Sequence, residues 1–262
     1  MIERCENAWF TGRSYTGWDN YIEADLTKKE EAKKLLSYQP DVIIHAAGSS
    51  NALADNPLSN IIGTFNLLSE CPTKPRLIYL SSATVYGPES FEKGASEQDM
   101  PNPQSLYGST KLGCENILTY FKNAGKIETL TILRPCAVVG EGATHGLLPA
   151  IEKKCYDNED EIELIGKYPG SVKPYLHVDD LCDAIIYYLR NPQNATVNIA
   201  GHGELSVHII AELYCCLKDL RPIVKWTGEF WPGDNTLIRM ECGKMPVNVR
   251  SSFKAVYDTF TR

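Results

Sequence analysis

The chain has 262 residues, 43% hydrophobic and 23% charged, with a formal net charge of −7. That is enough apolar material for one large domain, or a domain with an appendage, and it excludes intrinsic disorder. The negative balance excludes a general binder of nucleic-acid phosphates, although one basic pocket can still hold a small phosphorylated ligand.

No stretch approaches the ~18 uninterrupted apolar residues of a membrane span, and the opening MIERCENAWF is not a signal peptide. A cytoplasmic protein with no membrane or nucleic-acid partner is the expectation. The cysteines, Cys5 among them, form no CxxC pair and several fall on apolar faces, so they read as reduced core side chains and not as bridges or metal ligands. In chain order, NAWFTG (7–12) and NYIEAD (20–25) read as strands and KKEEAKKLLSYQ (28–39) as a helix. DVIIHAAG (41–48) is a strand, PLSNIIGTFNLLSEC (57–71) a helix and RLIYLSSA (76–83) a strand. LYGSTKLGCENILTYFKNAG (106–125) is a helix, followed by strands at ETLTILRP (128–135) and TVNIA (196–200). The helices have apolar residues at i, i+3 and i+4, while the strands lack clean alternation. Such strands, separated by helices, imply an α/β fold: a doubly wound parallel sheet covered on both faces, with ligands outside the carboxyl ends of its strands. The acidic DNEDEIE (157–163) reads as a solvated loop.

Three segments fall at strand ends. HAAG (45–48) is small enough to let the backbone approach a ligand, or is a tight strand exit. In LSSATVYG (80–87) an apolar run stops at two hydroxyls, which either serve a site or cap a turn. In LYGSTK, Tyr107 and Lys111 lie four apart on one helix face, a spacing that is common by chance. Together the three are stronger. A free tyrosine titrates near ~10, and an adjacent ammonium and a cationic nicotinamide ring would both favour the phenolate. A lowering of about three units, or about 4 kcal/mol, makes Tyr107 a general base for an alcohol, or a general acid in reverse. Ser82 can hydrogen-bond the same oxygen.

LSSATVYG, YGSTK, the NIIGTF spacing (Asn60, Gly63, Thr64), HAAG and LRP, spread over residues 8 to 200, together resemble the extended short-chain dehydrogenase/reductases, specifically the nucleotide-sugar epimerase/dehydratase family. The resemblance implies Ser82, Tyr107 and Lys111 as a catalytic triad, with Lys111 also holding the nicotinamide ribose. It places Asp25 and Leu26 at the adenine, Ala46, Ala47 and Gly48 along the cofactor, and Pro135 and Val138 by the carboxamide. PYLHVDDL (174–181) resembles the family's return into the sheet. Dehydratases of this kind have two carboxylates directly after the catalytic hydroxyl, where this chain has Ala83 and Thr84, so a 4-epimerase acting on a nucleotide-sugar substrate is preferred. The alternatives are a 4-keto-sugar reductase and, in another class, a non-catalytic remnant or a fragment completed by an upstream segment. Substrate contacts are expected from Ser82, Ala83, Thr84 and Lys173. Many epimerases have Asn where Ala137 stands and Arg where Lys173 stands, and Lys supplies the charge without the bidentate fork.

FTGRSYTG (10–17) looks like a phosphate-binding turn, but in the family a helix and a second strand separate that turn from the segment matching YIEADL. Gly12 and Asp25 are too close for both, and the GxxGxxG spacing is missing. The segment therefore reads as the end of the family's second strand, with its first strand, phosphate loop and helix expected to be missing. Arg13 and Ser14 then face the adenine ribose, and the nearest acid, Asp19, lies further into the loop. NADP users tend to put an arginine there, so the reading leans to NADP over the NAD that epimerases commonly keep. Residues 1–140 with 174–201 are expected to form the truncated dinucleotide-binding domain, and 141–173 with 202–262 a smaller C-terminal substrate-binding lobe. By the same resemblance, the helices starting near Pro57 and Tyr107 pair with twofold mates in a homodimer through Ile61, Ile62, Phe65, Leu68, Ile117, Leu118 and Phe121.

Overall fold

The computed structural model describes residues 8–14, 17, 20–49, 58–158, 160–230, 236–243 and 247–261. Of the residues singled out from sequence, Cys5, Asp19 and Pro57 lie outside them. The chain runs β1 (Phe10–Gly12), β2 (Tyr21–Glu23), α1 (Lys29–Leu36), β3 (Val42–His45), α2 (Ser59–Ser69), β4 (Arg76–Leu80), a 3₁₀ turn (Ala83–Val85), α3 (Pro88–Lys93), α4 (Leu106–Asn123) and β5 (Leu130–Pro135). It continues through β6 (Ala137–Val139), α5 (Leu147–Asp157), β7 (Glu161–Leu164), β8 (Val172–Lys173), β9 (Tyr175–His177), α6 (Val178–Arg190), β10 (Ala195–Ile199), β11 (Leu205–Ser206), α7 (Val207–Leu217), β12 (Ile223–Trp226) and α8 (Ser252–Thr261). Each strand and helix expected from the sequence forms, mostly with shorter ends, although β10 begins one residue earlier than expected. The acidic stretch 157–163 is not all loop: Asp157 ends α5, and residues 161–163 belong to β7, which buries Ile162.

The central sheet has four parallel strands in the order β10-β5-β4-β3. Every residue of β5 is buried, which is why LTILRP shows no polar alternation. Both faces are covered. Leu77 and Tyr79 of β4 pack with Leu67, Leu68, Leu118 and Phe121 of α2 and α4. Ile78, between them in sequence, packs on the opposite face with Leu181, Ala184 and Ile185 of α6. This alternation makes the fold doubly wound.

β1 and β2 form a separate parallel pair, and among the described residues no strand joins β1 to β3. FTG thus ends a strand, and the next element after it is β2, not a helix. α6 begins where the His177 ring accepts the Asp179 N–H at 3.2 Å, and Asp179 and Asp180 add favourable charge to its first turn.

A further core draws together α5, α7, α8, β7 and β9 through Leu148, Ile151, Ile162, Tyr175, Tyr214 and Phe260. Cys71, Cys114, Cys136, Cys155 and Cys215 are buried free thiols. Among the described residues no helix is long and apolar enough to cross a membrane. Of the residues expected at a dimer interface, Leu68, Leu118 and Phe121 are buried in the chain's own core, with Ile61 and Ile117 packed against it. Phe65 is 49% exposed.

Candidate active site

The site is assembled where the first turn of α4 meets the end of β4. Ser105 caps α4, its side chain accepting the Gly108 N–H at 3.1 Å. Gly108 is pressed so closely on the preceding turn that a Cβ there would lie 2.2 Å from the Thr84 carbonyl oxygen. Only glycine permits that approach, and the approach carries Tyr107 to Ser82. The Ser82 Oγ accepts the Thr84 N–H at 3.2 Å and the Thr84 hydroxyl at 2.9 Å. The Tyr107 hydroxyl is turned toward the same side chain, which eases its ionisation. One helical turn further on, the buried Lys111 Nζ donates to the Leu80 carbonyl at 2.7 Å. It lies 5.1 Å from the Tyr79 ring centre and 5.8 Å from that of Tyr107.

Burial lowers the Lys111 ammonium to about 8, with Cys114 and Glu115 pulling the other way. Burial raises the Tyr107 phenol above its ordinary value, and the Ser82 hydrogen bond opposes that rise. Within the chain's own residues, then, the expected lowering of Tyr107 by Lys111 is absent. The ammonium lies over the phenol ring, and burial penalises the phenolate more than this arrangement offsets. His45 at the end of β3 lies 2.9 Å from the Thr64 hydroxyl through Nε2. Burial, and secondarily the Lys111 charge, lower it to about 3, so its imidazole is neutral near pH 7.

The HAAG segment leaves the sheet against this cluster. Ala46, Ala47 and Gly48 are exposed. Asn60 of α2 pins the next residue, accepting the Ser49 N–H at 2.7 Å and donating to its carbonyl at 3.1 Å and to the Thr110 hydroxyl of α4 at 3.1 Å. A Cβ on Gly48 would come within 3.3 Å of the Lys111 Nζ, so glycine keeps this side of the ammonium open.

The remaining predicted residues fall in other places. Arg13 and Ser14 are exposed just beyond β1. Asp25 follows β2, its carboxyl lowered chiefly by hydrogen bonds from Thr27 and in smaller part by Lys28 and Arg13. Leu26 packs on Gly63 of α2, where a Cβ would approach to 3.1 Å. Pro135 is buried at the end of β5. Val138, with Ala137, Leu147, Lys173 and Tyr175, lines a cavity of about 250 Å³. A second cavity, of about 190 Å³, shares Leu147 and Lys173. Ser82, Tyr107 and Lys111 line neither cavity. Ala83 packs into the core beside Val85, Tyr86 and Phe91, and the Thr84 hydroxyl is turned to Ser82.

Behind the triad lies a network that sequence reasoning missed. Arg134 of β5 grips Glu115 of α4 with two bonds, Nε to Oε1 at 3.0 Å and Nη2 to Oε2 at 2.7 Å. Ser81 donates to the same Oε1 at 2.5 Å. Arg134 Nη1 also donates to the Tyr86 hydroxyl at 2.6 Å, which in turn donates to Asn198 Oδ1 of β10 at 2.9 Å. The available signal was Glu115 four residues after Lys111, a glutamate on a helix face otherwise committed to burial.

Comparison with known proteins bears on the family and the fold. The chain is 28% identical over 221 residues to the UDP-glucose 4-epimerase of Yersinia enterocolitica, an alignment covering 74% of this chain and 66% of that one. It spans about two thirds or less of the length of the curated relatives it matches. Its fold superposes on that of a UDP-glucuronic acid 4-epimerase from Bacillus cereus in complex with UDP-glucuronic acid and NAD, with a TM-score of 0.80, 20% identity, and coverage of 94% of this chain and 82% of that one. It superposes also on that of the protein RMD from Pseudomonas aeruginosa complexed with NADPH, with a TM-score of 0.75, 18% identity, and coverage of 95% and 92%. The profile of the NAD dependent epimerase/dehydratase family matches residues 4–200, and the chain belongs to that family.

Proposed function

We propose that the chain carries the catalytic half of a nucleotide-diphosphate-sugar 4-epimerase that works with a nicotinamide dinucleotide and a Ser82–Tyr107–Lys111 triad. One observation carries the reading: the first turn of α4 sets Tyr107 beside Ser82, with the Lys111 ammonium one helical turn away, 5.8 Å from the Tyr107 ring centre. The open side of Lys111 at Gly48 fits the ribose end of such a cofactor. Lys111 and Tyr107 would hold the ribose hydroxyls, Ala46 to Gly48 would run along the cofactor, and Pro135 and Val138 would border the nicotinamide. Arg13, Ser14 and Asp25 would meet the adenosine end, with Leu26 beneath. Bound there, the cofactor supplies hydride acceptance and return at the sugar carbon.

The chain's own residues manage the proton. Tyr107 Oη takes it from the sugar hydroxyl, and Ser82 Oγ donates to the same oxygen and holds it in line. Since burial raises Tyr107, deprotonation needs positive charge brought beside it, which a bound cationic nicotinamide ring would supply. The absence of acids at Ala83 and Thr84 supports epimerisation over dehydration, because elimination needs a proton donor for the leaving group. Lys173, between the two cavities, is suited to the diphosphate. The exposed Arg13 beside Asp25 favours the second reading, an NADP-dependent 4-keto-sugar reductase. A homodimer built on α2 and α4 would cover Phe65.

Interconversion of UDP-glucose and UDP-galactose, followed with NAD and with NADP, tests the assignment. Tyr107→Phe is expected to lower turnover by about 10²–10⁴-fold with little change in cofactor binding. A variant retaining more than about a tenth of the activity rules out Tyr107 as the acid–base group.

A further inference from the structure

β4 ends in two serines that serve opposite sides of the structure. Ser82 meets Tyr107, whereas Ser81 continues the face of Leu77 and Tyr79 and donates to Glu115 at 2.5 Å. Glu115 lies one turn beyond Lys111 and is 4% exposed; Arg134, which holds both its oxygens, is 5% exposed. One carboxylate therefore ties α4 to β4 through Ser81 and to β5 through Arg134. Both strands carry predicted site residues at or just beyond their ends: Ser82 after β4, Pro135 in β5.

We propose that Glu115, held by Arg134 and Ser81, is a positioning residue that sets the rotation of α4 and the charge environment of Lys111, and through these the geometry and proton affinity of the Tyr107–Lys111 pair. The proposal rests on the triad reading given under Proposed function.

A purely structural ion pair would hold the helix and leave the pair's titration alone. Here the spacing argues for more. Residues four apart on a helix are neighbours, about 5–6 Å between Cβ atoms, and at such separations a carboxylate in a partly dry interior favours a nearby ammonium. The groups facing Lys111 are few: His45 on β3, which is neutral; Tyr79 and the Leu80 carbonyl on β4; and Tyr107, Cys114 and Glu115 on α4. Asn60 on α2 stands across Gly48 without charge. Glu115 is the carboxylate of this group, and neutralising it should lower the proton affinity of the whole pair, since it favours the ammonium and disfavours the phenolate alike.

The test combines titration of the free protein with kinetics. In ¹³Cε-lysine NMR one resonance is expected to titrate near 8, apart from surface lysines, and to vanish in Lys111→Met. In Glu115→Gln that titration should move down by about one unit, and the basic limb of the kcat profile should move with it. Ser81→Ala keeps the ion pair and loses one tether of α4. It is expected to lower kcat about tenfold, as a lost single interaction does, with KM for the nucleotide sugar unchanged. It serves as the second arm should Glu115→Gln not fold. An unmoved Lys111 titration in a folded Glu115→Gln, or an unchanged kcat in Ser81→Ala, overturns the proposal. Tyr107→Phe, run in parallel, separates the two readings: if it stays active, the triad itself is wrong, and if it is dead while Glu115→Gln titrates normally, only the present inference fails.

Discussion

The central sheet around β4 and β5 and the separate β1–β2 pair are built differently. Around β4, α4 and β5 the candidate side chains are held by close partners: Lys111 by the Leu80 carbonyl and two aromatic rings, Ser82 by Thr84, Glu115 by Arg134 and Ser81. Around β1 and β2 the strands are three residues long, and Arg13 and Ser14 are exposed. Proton transfer depends on placement within a fraction of an ångström, and on the proposed reading its residues would come from these buried, braced elements. Recognising a charged group at the far end of a ligand tolerates a looser arm. The contrast is between a site that must be rigid and one that need only be near.

That contrast can be broken most forcefully at Arg134. Arg134→Met strands the buried Glu115 carboxylate and should cost about 3–5 kcal/mol of stability, read as a lowered urea midpoint with unchanged slope. A loss under about 1 kcal/mol would mean that the braced end is less buried than the structure has it. Next comes pH. Lys111 is lowered to about 8 from an ordinary value of 10.5. Between those values the unfolded chain holds more proton on this lysine than the folded one, so stability rises with pH there, and the full penalty of burying the charge applies below about 8. Relative to Lys111→Met, the wild type should gain about 2 kcal/mol in urea unfolding between roughly pH 8 and 9.5. A difference independent of pH would contradict a buried ammonium.

Gly108→Ala sets a methyl against the Thr84 carbonyl and should cost about 1–3 kcal/mol. Its kcat should fall further than that of an equally destabilised variant elsewhere, because the clash forces Tyr107 away from Ser82. Equal losses would make Gly108 a packing residue alone. The smallest effect belongs to the exposed end. Arg13→Ala should weaken NADP binding about five- to tenfold by calorimetry, in line with about 1 kcal/mol for an exposed charge pair, while leaving NAD binding unchanged. A preference for NAD that this substitution does not alter would remove Arg13 from the cofactor site.

What could be read from sequence follows the same divide. That Tyr107, Lys111 and Ser82 lie near one another was legible because a four-residue helical spacing and a strand end place them there. The sheet was legible because LTILRP and RLIYL, covered on both faces, can afford no polar alternation. Glu115 and Ser81 were not, since a glutamate on a helix reads as solvated and a serine at a strand end as a cap. Only the fold shows that both are buried and touching. Ala83, expected at the substrate, is instead buried: its place after Ser82 says nothing of direction, and the 3₁₀ turn puts it in the core with Val85 and Tyr86. The raised Tyr107 was likewise hidden, because spacing alone suggests how near an ammonium lies and not which part of the ring it faces.

The adjacency of Ser81 and Ser82 has a consequence for how this segment can change over generations. With one serine committed to each side, the run from Arg76 to Ser82 is fixed in length as firmly as in composition. Deleting a single residue ahead of Ser81 would either carry Ser82 into the place opposite Glu115 and leave Ala83 facing Tyr107, or keep the serines and turn the preceding apolar residues of β4 to the wrong face. Substitutions that keep size and polarity can accumulate here, whereas a one-codon gain or loss cannot.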